Sequence, residues 1–244
     1  MSLHRTHKSH TASANSQTNA ERTSRKTDSR NPGERVHGAR IREVFTEQGA
    51  DVVKSCEELS TAAAVEQVVS SAGPIDVLVA NLSILAPSTP SSDVGEEEWQ
   101  SVFAALVDPL LRMIKAVVPL FARCGGGKIL VIGSASALRG MKRASTYSAA
   151  RGAQLAYVQA VGVELAPQNI QVNAIAQNFV DNPTHFPATV QANPKFQERL
   201  AREVPLGRLV MAREDALFAA YLCSEAANCF VGQVFPVSGG WATK

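Results

Sequence analysis

The stretch KILVIGSASALRGMKRASTYSAARGAQLAYVQAVGVELA, residues 128–166, decides the fold of this chain. It opens with a short apolar run, 128–133, which is closed by a glycine and predicts a strand buried on both faces. Ser145 is a suitable N-cap for a helix that runs to about residue 166, just before Pro167. The stretch therefore predicts a strand–turn–helix unit, from which parallel α/β sheets are built.

Three side chains in this stretch form a candidate catalytic group. Ser134 follows the carboxyl end of the predicted strand, where open α/β sheets place their ligands. Tyr147 and Arg151 are four residues apart on the predicted helix, so they share one face. The permanent guanidinium favours the phenolate form of the tyrosine, and the serine can donate a hydrogen bond to a substrate oxygen. Each residue alone is more often part of an ordinary turn or of a solvated helix face, but together they predict proton abstraction from an alcohol.

The spacing of these residues resembles that of a known family. Ser134, Tyr147 thirteen positions later and Arg151 four further on are similar to the Ser–Tyr–Arg triad of halohydrin dehalogenases, which resemble short-chain dehydrogenases/reductases in fold. The dehydrogenases carry Tyr-x-x-x-Lys, and their lysine also holds the nicotinamide ribose. The segments 204–209 and 230–241 resemble the C-terminal pattern of both families. The resemblance covers roughly residues 41–244 and implies the shared fold.

Strand and helix patterns alternate along the rest of the chain. Strands are predicted at 50–54, 75–80, 128–133, 170–175 and 232–237, and helices at 41–49, 60–72, 93–123, 145–166, 195–203 and 213–224. Pro109 and Pro119 should kink or break the longest helix. This order predicts an α/β fold with one Rossmann-like domain over residues 39–244, a doubly wound parallel sheet of the short-chain dehydrogenase type.

The first 38 residues have a different composition and are predicted to be a disordered, basic tail. Residues 1–40 hold eight Lys and Arg against three Asp and Glu. A nucleic-acid or membrane-surface arm and an organelle transit peptide are weaker alternatives, because aromatic residues between the basic ones and an amphipathic helix pattern are both missing. No G-x-x-x-G-x-G motif occurs near the start, so the first strand is either degenerate, at 34–37, or missing.

The composition is that of a soluble globular protein, with 45% hydrophobic and 19% charged residues. No apolar run reaches the ~18 residues of a membrane span, and no signal-peptide pattern opens the chain. We expect a cytoplasmic enzyme that acts on small molecules and binds neither nucleic acid nor membrane. The four cysteines lack CxxC or metal-ligand spacing, which predicts buried free thiols and no metal site.

The resemblance assigns a halide site to the loop that follows the strand at 170–175. Dehydrogenases have Pro-Gly there, whereas this chain has Ala176, Gln177, Asn178, Phe179 and Val180. Backbone amides of residues 177–180, with the Asn178 side chain, would donate to a halide, and Phe179 and Val180 would form an apolar wall. The alternative is an ordinary strand-to-helix loop that has lost its Pro-Gly turn.

The reaction that the resemblance implies is a cofactor-independent conversion of vicinal haloalcohols to epoxides, with release of halide and a proton. Small anions would open epoxides in the reverse direction, and a homotetramer is expected. One alternative is an NAD(P)-dependent short-chain oxidoreductase. It is disfavoured by the absent glycine turn, by Lys54, Ser55 and Cys56 where an acidic ribose ligand is expected, and by Arg151. The other alternative is a non-enzymatic remnant of the fold.

Overall fold

The computed structural model describes residues 2–5, 37–55, 57 and 59–243, which form a six-stranded sheet with helices packed on both faces. The strands are β1 (Ser2–Arg5), β2 (Asp51–Lys54), β3 (Val77–Ala80), β4 (Gly127–Ser134), β5 (Ile170–Gln177) and β6 (Val234–Val237). The helices are α1 (His37–Glu47), α2 (Ala62–Ala72), α3 (Glu96–Leu106), α4 (Asp108–Cys124), α5 (Ser136–Arg139), α6 (Ser145–Leu165), α7 (Ala188–Gln191), α8 (Pro194–Glu203) and α9 (Ala212–Cys223).

The strand order is β2-β1-β3-β4-β5-β6, and the four strands from β3 to β6 are parallel, as the alternation of patterns predicts. The first strand differs from the prediction. It is β1, within the predicted disordered tail, and it pairs antiparallel with both β2 and β3. Of the proposed first strand at 34–37, His37 begins α1 and the other three residues lie outside the described residues.

Two apolar clusters pack against the two faces of the sheet because successive strand residues point to opposite sides. In β3, Leu78 packs with α2, α4 and α6, whereas Val79 packs with α1 and α9. In β4, Val131 and Ile132 divide between the same two clusters. Strands buried on both faces explain the continuous apolar runs of the sequence and confirm the doubly wound architecture.

Several element ends differ from the sequence prediction. Thr61, not Ser60, caps α2, because its side chain accepts from the Ala64 N–H. Ser145 is the first residue of α6 and not its cap. The long helix predicted at 93–123 is two helices, since Pro109 lies in the first turn of α4. Pro119 does not break α4, because it lies on the exposed face, where water can satisfy the freed carbonyl.

The cysteine prediction is only partly correct. Cys223 is buried, and burial raises the pKa of its thiol to about 12. Cys124 and Cys229 are free but exposed, since they lie at the end of α4 and after α9, and Cys56 lies outside the described residues. None of the helices in the described part of the chain is both long and apolar enough to cross a membrane.

Candidate active site

A cavity of about 250 Å³ opens at the carboxyl ends of β4 and β5. Ser134, Tyr147 and Arg151 all line it, so the fold brings the predicted catalytic group together. Ser134 is the last residue of β4, and the other two lie in the first two turns of α6. Each of the three is at least nine-tenths buried, which places the group on the cavity floor.

The guanidinium of Arg151 lies over the ring of Tyr147, with Cζ 5.0 Å from the ring centroid. Its Nη1 donates to the Ile132 carbonyl at 3.2 Å and to Oε1 of Gln154 at 2.9 Å. No described residue accepts from its Nε or hydrogen-bonds the Tyr147 hydroxyl. The permanent charge is thus fixed beside the ring, while the phenol oxygen remains available to a ligand.

Ser134 has a neighbour that the sequence analysis missed. Its Oγ accepts from the Ser136 N–H at 3.2 Å and lies 2.9 Å from the Ser136 Oγ. When Ser136 donates its hydroxyl proton, the proton of Ser134 is free to point into the cavity. The sequence did contain a signal for this contact, namely two serines two residues apart at the carboxyl end of a strand.

The segment 177–180, which carries the predicted halide site, is held by hydrogen bonds and a β-bridge to neighbouring segments. The Gln177 backbone carbonyl accepts from the Ala135 N–H at 2.8 Å, and the Gln177 side-chain Nε2 donates to Asp215 Oδ2 at 2.6 Å. Val180 forms an isolated parallel bridge with Val210. Phe179 has a φ of +52°, a left-handed conformation that is unusual for a side chain of this size. These contacts hold residues 177–180 against the cavity.

The structure places all four predicted halide residues at the cavity, but not all of their amides are free. The Asn178 N–H donates to the Val237 carbonyl at 3.0 Å, and the Phe179 N–H donates to Asn178 Oδ1 at 2.9 Å. Phe179 is 2% exposed and Val180 is 5% exposed, so they have the burial expected of an apolar wall. The N–H of Val180 donates to none of the described residues.

Other residues complete the lining, and the sequence analysis did not identify them as site residues. Asn81, directly after β3, is 7% exposed, and its Nδ2 has no hydrogen-bond partner among the described residues. Arg199 of α8 is exposed, and its Cζ lies 5.4 Å from the centroid of the Phe179 ring. The position of Asn81 after a buried strand was a signal, whereas nothing local marks Arg199. The remaining lining residues include Ser83, Met141, Asn182, His185 and Phe186.

Gln154 accepts from Arg151 and hydrogen-bonds the core, so we expect its replacement to lower the stability of the fold. It is 0% exposed, and its Nε2 donates to the Leu106 carbonyl at 2.5 Å. We expect Gln154→Leu to lower the free energy of unfolding by about 1–3 kcal/mol, because it leaves that buried carbonyl without its donor. Urea unfolding measures the change. The control is Gln159→Leu at an exposed position of α6, which should stay within about 0.5 kcal/mol; equal effects would contradict the prediction.

The parallel strands, the helices on both faces and the pocket at the carboxyl edge define a Rossmann-like α/β protein. Residues 33–242 match the family model described as enoyl-(acyl carrier protein) reductase. The chain belongs to the short-chain dehydrogenase/reductase family.

Among the residues described by the structure, no group of three or more His, Cys, Asp or Glu could hold a metal ion.

Two curated relatives illustrate the family. Dehydrogenase/reductase SDR family member 4 of Sus scrofa is 30% identical over 172 residues, which are 70% of this chain and 61% of the relative. The 3-oxoacyl-(acyl-carrier-protein) reductase of Chlamydia trachomatis is 32% identical over 168 residues, which are 69% of this chain and 66% of the relative. The chain therefore spans less than two thirds of the length of these relatives.

The matches to solved structures cover a larger share of the chain than the matches to the two curated relatives do. A structure described as a dehalogenation enzyme is 30% identical, with a TM-score of 0.72, and the match covers 84% of this chain and 83% of that one. The 3-ketoacyl-(acyl-carrier-protein) reductase from Brucella melitensis, complexed with NADH, is 27% identical, with a TM-score of 0.67 and a coverage of 76% of both chains. A dehalogenation enzyme and a reductase complexed with NADH are thus both among the similar structures.

Proposed function

We propose that this protein is a halohydrin dehalogenase, which converts vicinal haloalcohols to epoxides without an organic cofactor. The observation that carries the proposal is Arg151, four residues after Tyr147, where the dehydrogenases have lysine. It is buried over the tyrosine ring, and its Nη1 is occupied by two protein acceptors. The similarity to a dehalogenation enzyme over most of both chains supports the same reading.

The residues on the cavity floor can carry out each step of this reaction. Tyr147, as phenolate, takes the proton of the substrate hydroxyl, and Ser134 donates a hydrogen bond to the substrate oxygen. That oxygen attacks the neighbouring carbon, forms the epoxide C–O bond and expels the halide with the electrons of the C–halogen bond. Arg151 holds a permanent positive charge over the ring of the tyrosine.

The leaving halide develops negative charge next to the loop 177–180. In the proposed reaction the Val180 N–H and the Asn178 side-chain amide would donate to the halide, beside the apolar side chains of Phe179 and Val180, which line the cavity. Fixed donors in a site with little water stabilise developing charge better than mobile water does. In reverse, a small anion bound at this loop would open an epoxide, and Tyr147 would return the proton.

The second candidate is a nicotinamide-dependent oxidoreductase, which the family and the curated relatives favour. The described residues do not fit that cofactor well. Arg151 is 4% exposed and its Nη1 donates to Ile132 and Gln154, so it is not presented to a ribose as the family lysine is. The strand β2 ends at Lys54, and the following Ser55 is not an acidic ribose ligand.

The experiment that tests the proposal is epoxide opening by azide with the purified full-length protein, together with titration of NADH and NADPH. The proposal predicts an azidoalcohol product in the absence of any nicotinamide and no saturable binding of either cofactor. Tight binding of NADH or NADPH with no azide addition would overturn it and favour the oxidoreductase. A protein without a cooperative melting transition would favour the non-enzymatic remnant.

Arg151→Lys is expected to lower kcat roughly tenfold, the size of effect that the loss of one charge-assisted hydrogen bond produces. A single ammonium cannot lie over the Tyr147 ring and also bond Ile132 and Gln154, so the positive charge is no longer fixed beside the ring. Halide release at saturating haloalcohol measures kcat. The control is Arg202→Lys on the exposed face of α8, which should leave kcat unchanged. An unchanged kcat in Arg151→Lys would contradict the role given to the arginine.

A further inference from the structure

Arg199 is a second arginine in the cavity, and the dehalogenation chemistry does not use it. Its guanidinium stacks on Phe179, and its Nε donates to Glu203 Oε2 at 3.2 Å. No residue in the described ranges accepts a hydrogen bond from its Nη1 or Nη2. The two-pronged end of the guanidinium, which matches a carboxylate in geometry, therefore remains available.

The charges around Arg199 leave an excess of positive charge. Glu203 also accepts from Arg202 Nη2 at 3.0 Å, so one carboxylate is shared between two guanidiniums. Although burial raises the pKa of Glu203, hydrogen bonds from Arg202 and Arg199 hold that pKa below its ordinary value, and the carboxylate is ionised at neutral pH. Among the described residues that line the cavity itself, none is an Asp or a Glu.

The residues at the two ends of the cavity differ in solvent exposure. Ser134 and Tyr147 lie on the buried floor, where the reaction would take place. The Arg199 side chain is 47% exposed, so it lies at the open end, and the buried Phe179 ring lies beneath it. A substrate whose reacting carbons lie on the floor would direct its far end towards Arg199.

We propose that Arg199 binds a carboxylate at the far end of the substrate, so that the preferred substrates are haloalcohols that carry an acid group. The inference rests on the proposed dehalogenation and names its substrate class. The balance of the reaction is unchanged: the hydroxyl proton goes to Tyr147, the C–O bond of the epoxide forms, the C–halogen bond breaks, and the carboxylate stays intact. Arg199 contacts the substrate and takes no part in the bond changes.

The test compares two substrates of the same size, 4-chloro-3-hydroxybutanoate and its neutral amide, 4-chloro-3-hydroxybutanamide. Chloride release gives kcat/KM for each, and their ratio is the preference for the acid. We expect the acid to be preferred, and Arg199→Gln to reduce that preference roughly tenfold, mainly through KM, because a charge-assisted contact is lost. Arg199→Lys should retain part of the preference. The matched control is Arg202→Gln, which shares Glu203 but does not line the cavity. It should keep most of the preference, because Arg199 still contacts the substrate, although the local positive charge is smaller.

Binding provides a second measurement that does not depend on turnover. Calorimetric titration with 3-hydroxybutanoate should show binding to the unaltered protein and to Arg202→Gln, and weaker binding to Arg199→Gln. Equal preference for acid and amide, or an equal fall in kcat for both substrates in Arg199→Gln, would overturn the assignment; the latter would make Arg199 part of the halide site. Carboxylate binding that depends on Arg199 without chloride release from either substrate would refute the dehalogenation and leave the carboxylate site standing.

Discussion

Tyr147→Phe is expected to lower the rate of halide release by about a thousandfold, within the range that a positioned general base contributes. The substitution removes only the phenol oxygen, which hydrogen-bonds no described residue and faces the cavity. The ring can keep its contact with Arg151, so the fold should be unaffected. Measurement of chloride release under single-turnover conditions separates the chemical step from product release.

The control for this variant is Tyr157→Phe, the same substitution on the same helix. Tyr157 is partly buried against the apolar core and does not line the cavity. Its replacement should leave the rate of halide release within about twofold and should change stability by little more than a surface substitution does. Retention of more than a tenth of the activity in Tyr147→Phe, or an equal loss in both variants, would contradict the role given to Tyr147.

Gly162→Ala is expected to cost about 1–3 kcal/mol of stability, because the new methyl group would collide with backbone atoms that cannot rotate away. A Cβ at this position of α6 would lie 2.6 Å from both Cα and N of Gly232 and 3.0 Å from the Val172 carbonyl. Gly232 is itself fixed at a φ of +63°. The close approach of α6 to β5 and to the turn before β6 therefore requires glycine at 162.

Gly152→Ala is the matched control, the same substitution on the same helix. Apart from its chain neighbours and the backbone of its own helix, no heavy atom of the described residues lies within 4 Å of a Cβ at this position. The alanine should therefore raise the free energy of unfolding by up to about 1 kcal/mol through its higher helix propensity. Urea unfolding of the two variants should thus give changes of opposite sign. The same sign and size for both would contradict the packing of α6 described here.

Much of the fold could be predicted because parallel strands that are buried on both faces consist of continuous apolar runs. The runs at 75–80, 128–133 and 170–175 are apolar on both faces, and all three form strands of the sheet. The strand β1 could not be predicted, since Ser2–Arg5 has no apolar run and gains its position from pairing with β2 and β3. The cap of α2 was missed by one residue because Ser60 and Thr61 have equally suitable side chains.

Only those contacts of the candidate site that lie within one element could be predicted from the sequence. Tyr147 and Arg151 lie one helical turn apart, so their contact follows from local geometry. The contact of Arg199 with Phe179 depends on how α8 packs over the loop, which no local pattern records. The backbone donors at Asn178 and Phe179 were expected to be free, but their partners, Val237 and the Asn178 side chain, are known only from the folded chain.

The most direct test of the central claim is halide release by the purified full-length protein from a simple vicinal haloalcohol, such as 1-chloro-2-propanol, with no nicotinamide added. We expect one chloride and one proton for each epoxide formed, and we expect Tyr147→Phe to abolish this release. A cooperatively folded protein that releases no halide, and that instead oxidises or reduces a substrate when NAD(P) or NAD(P)H is supplied, would contradict it.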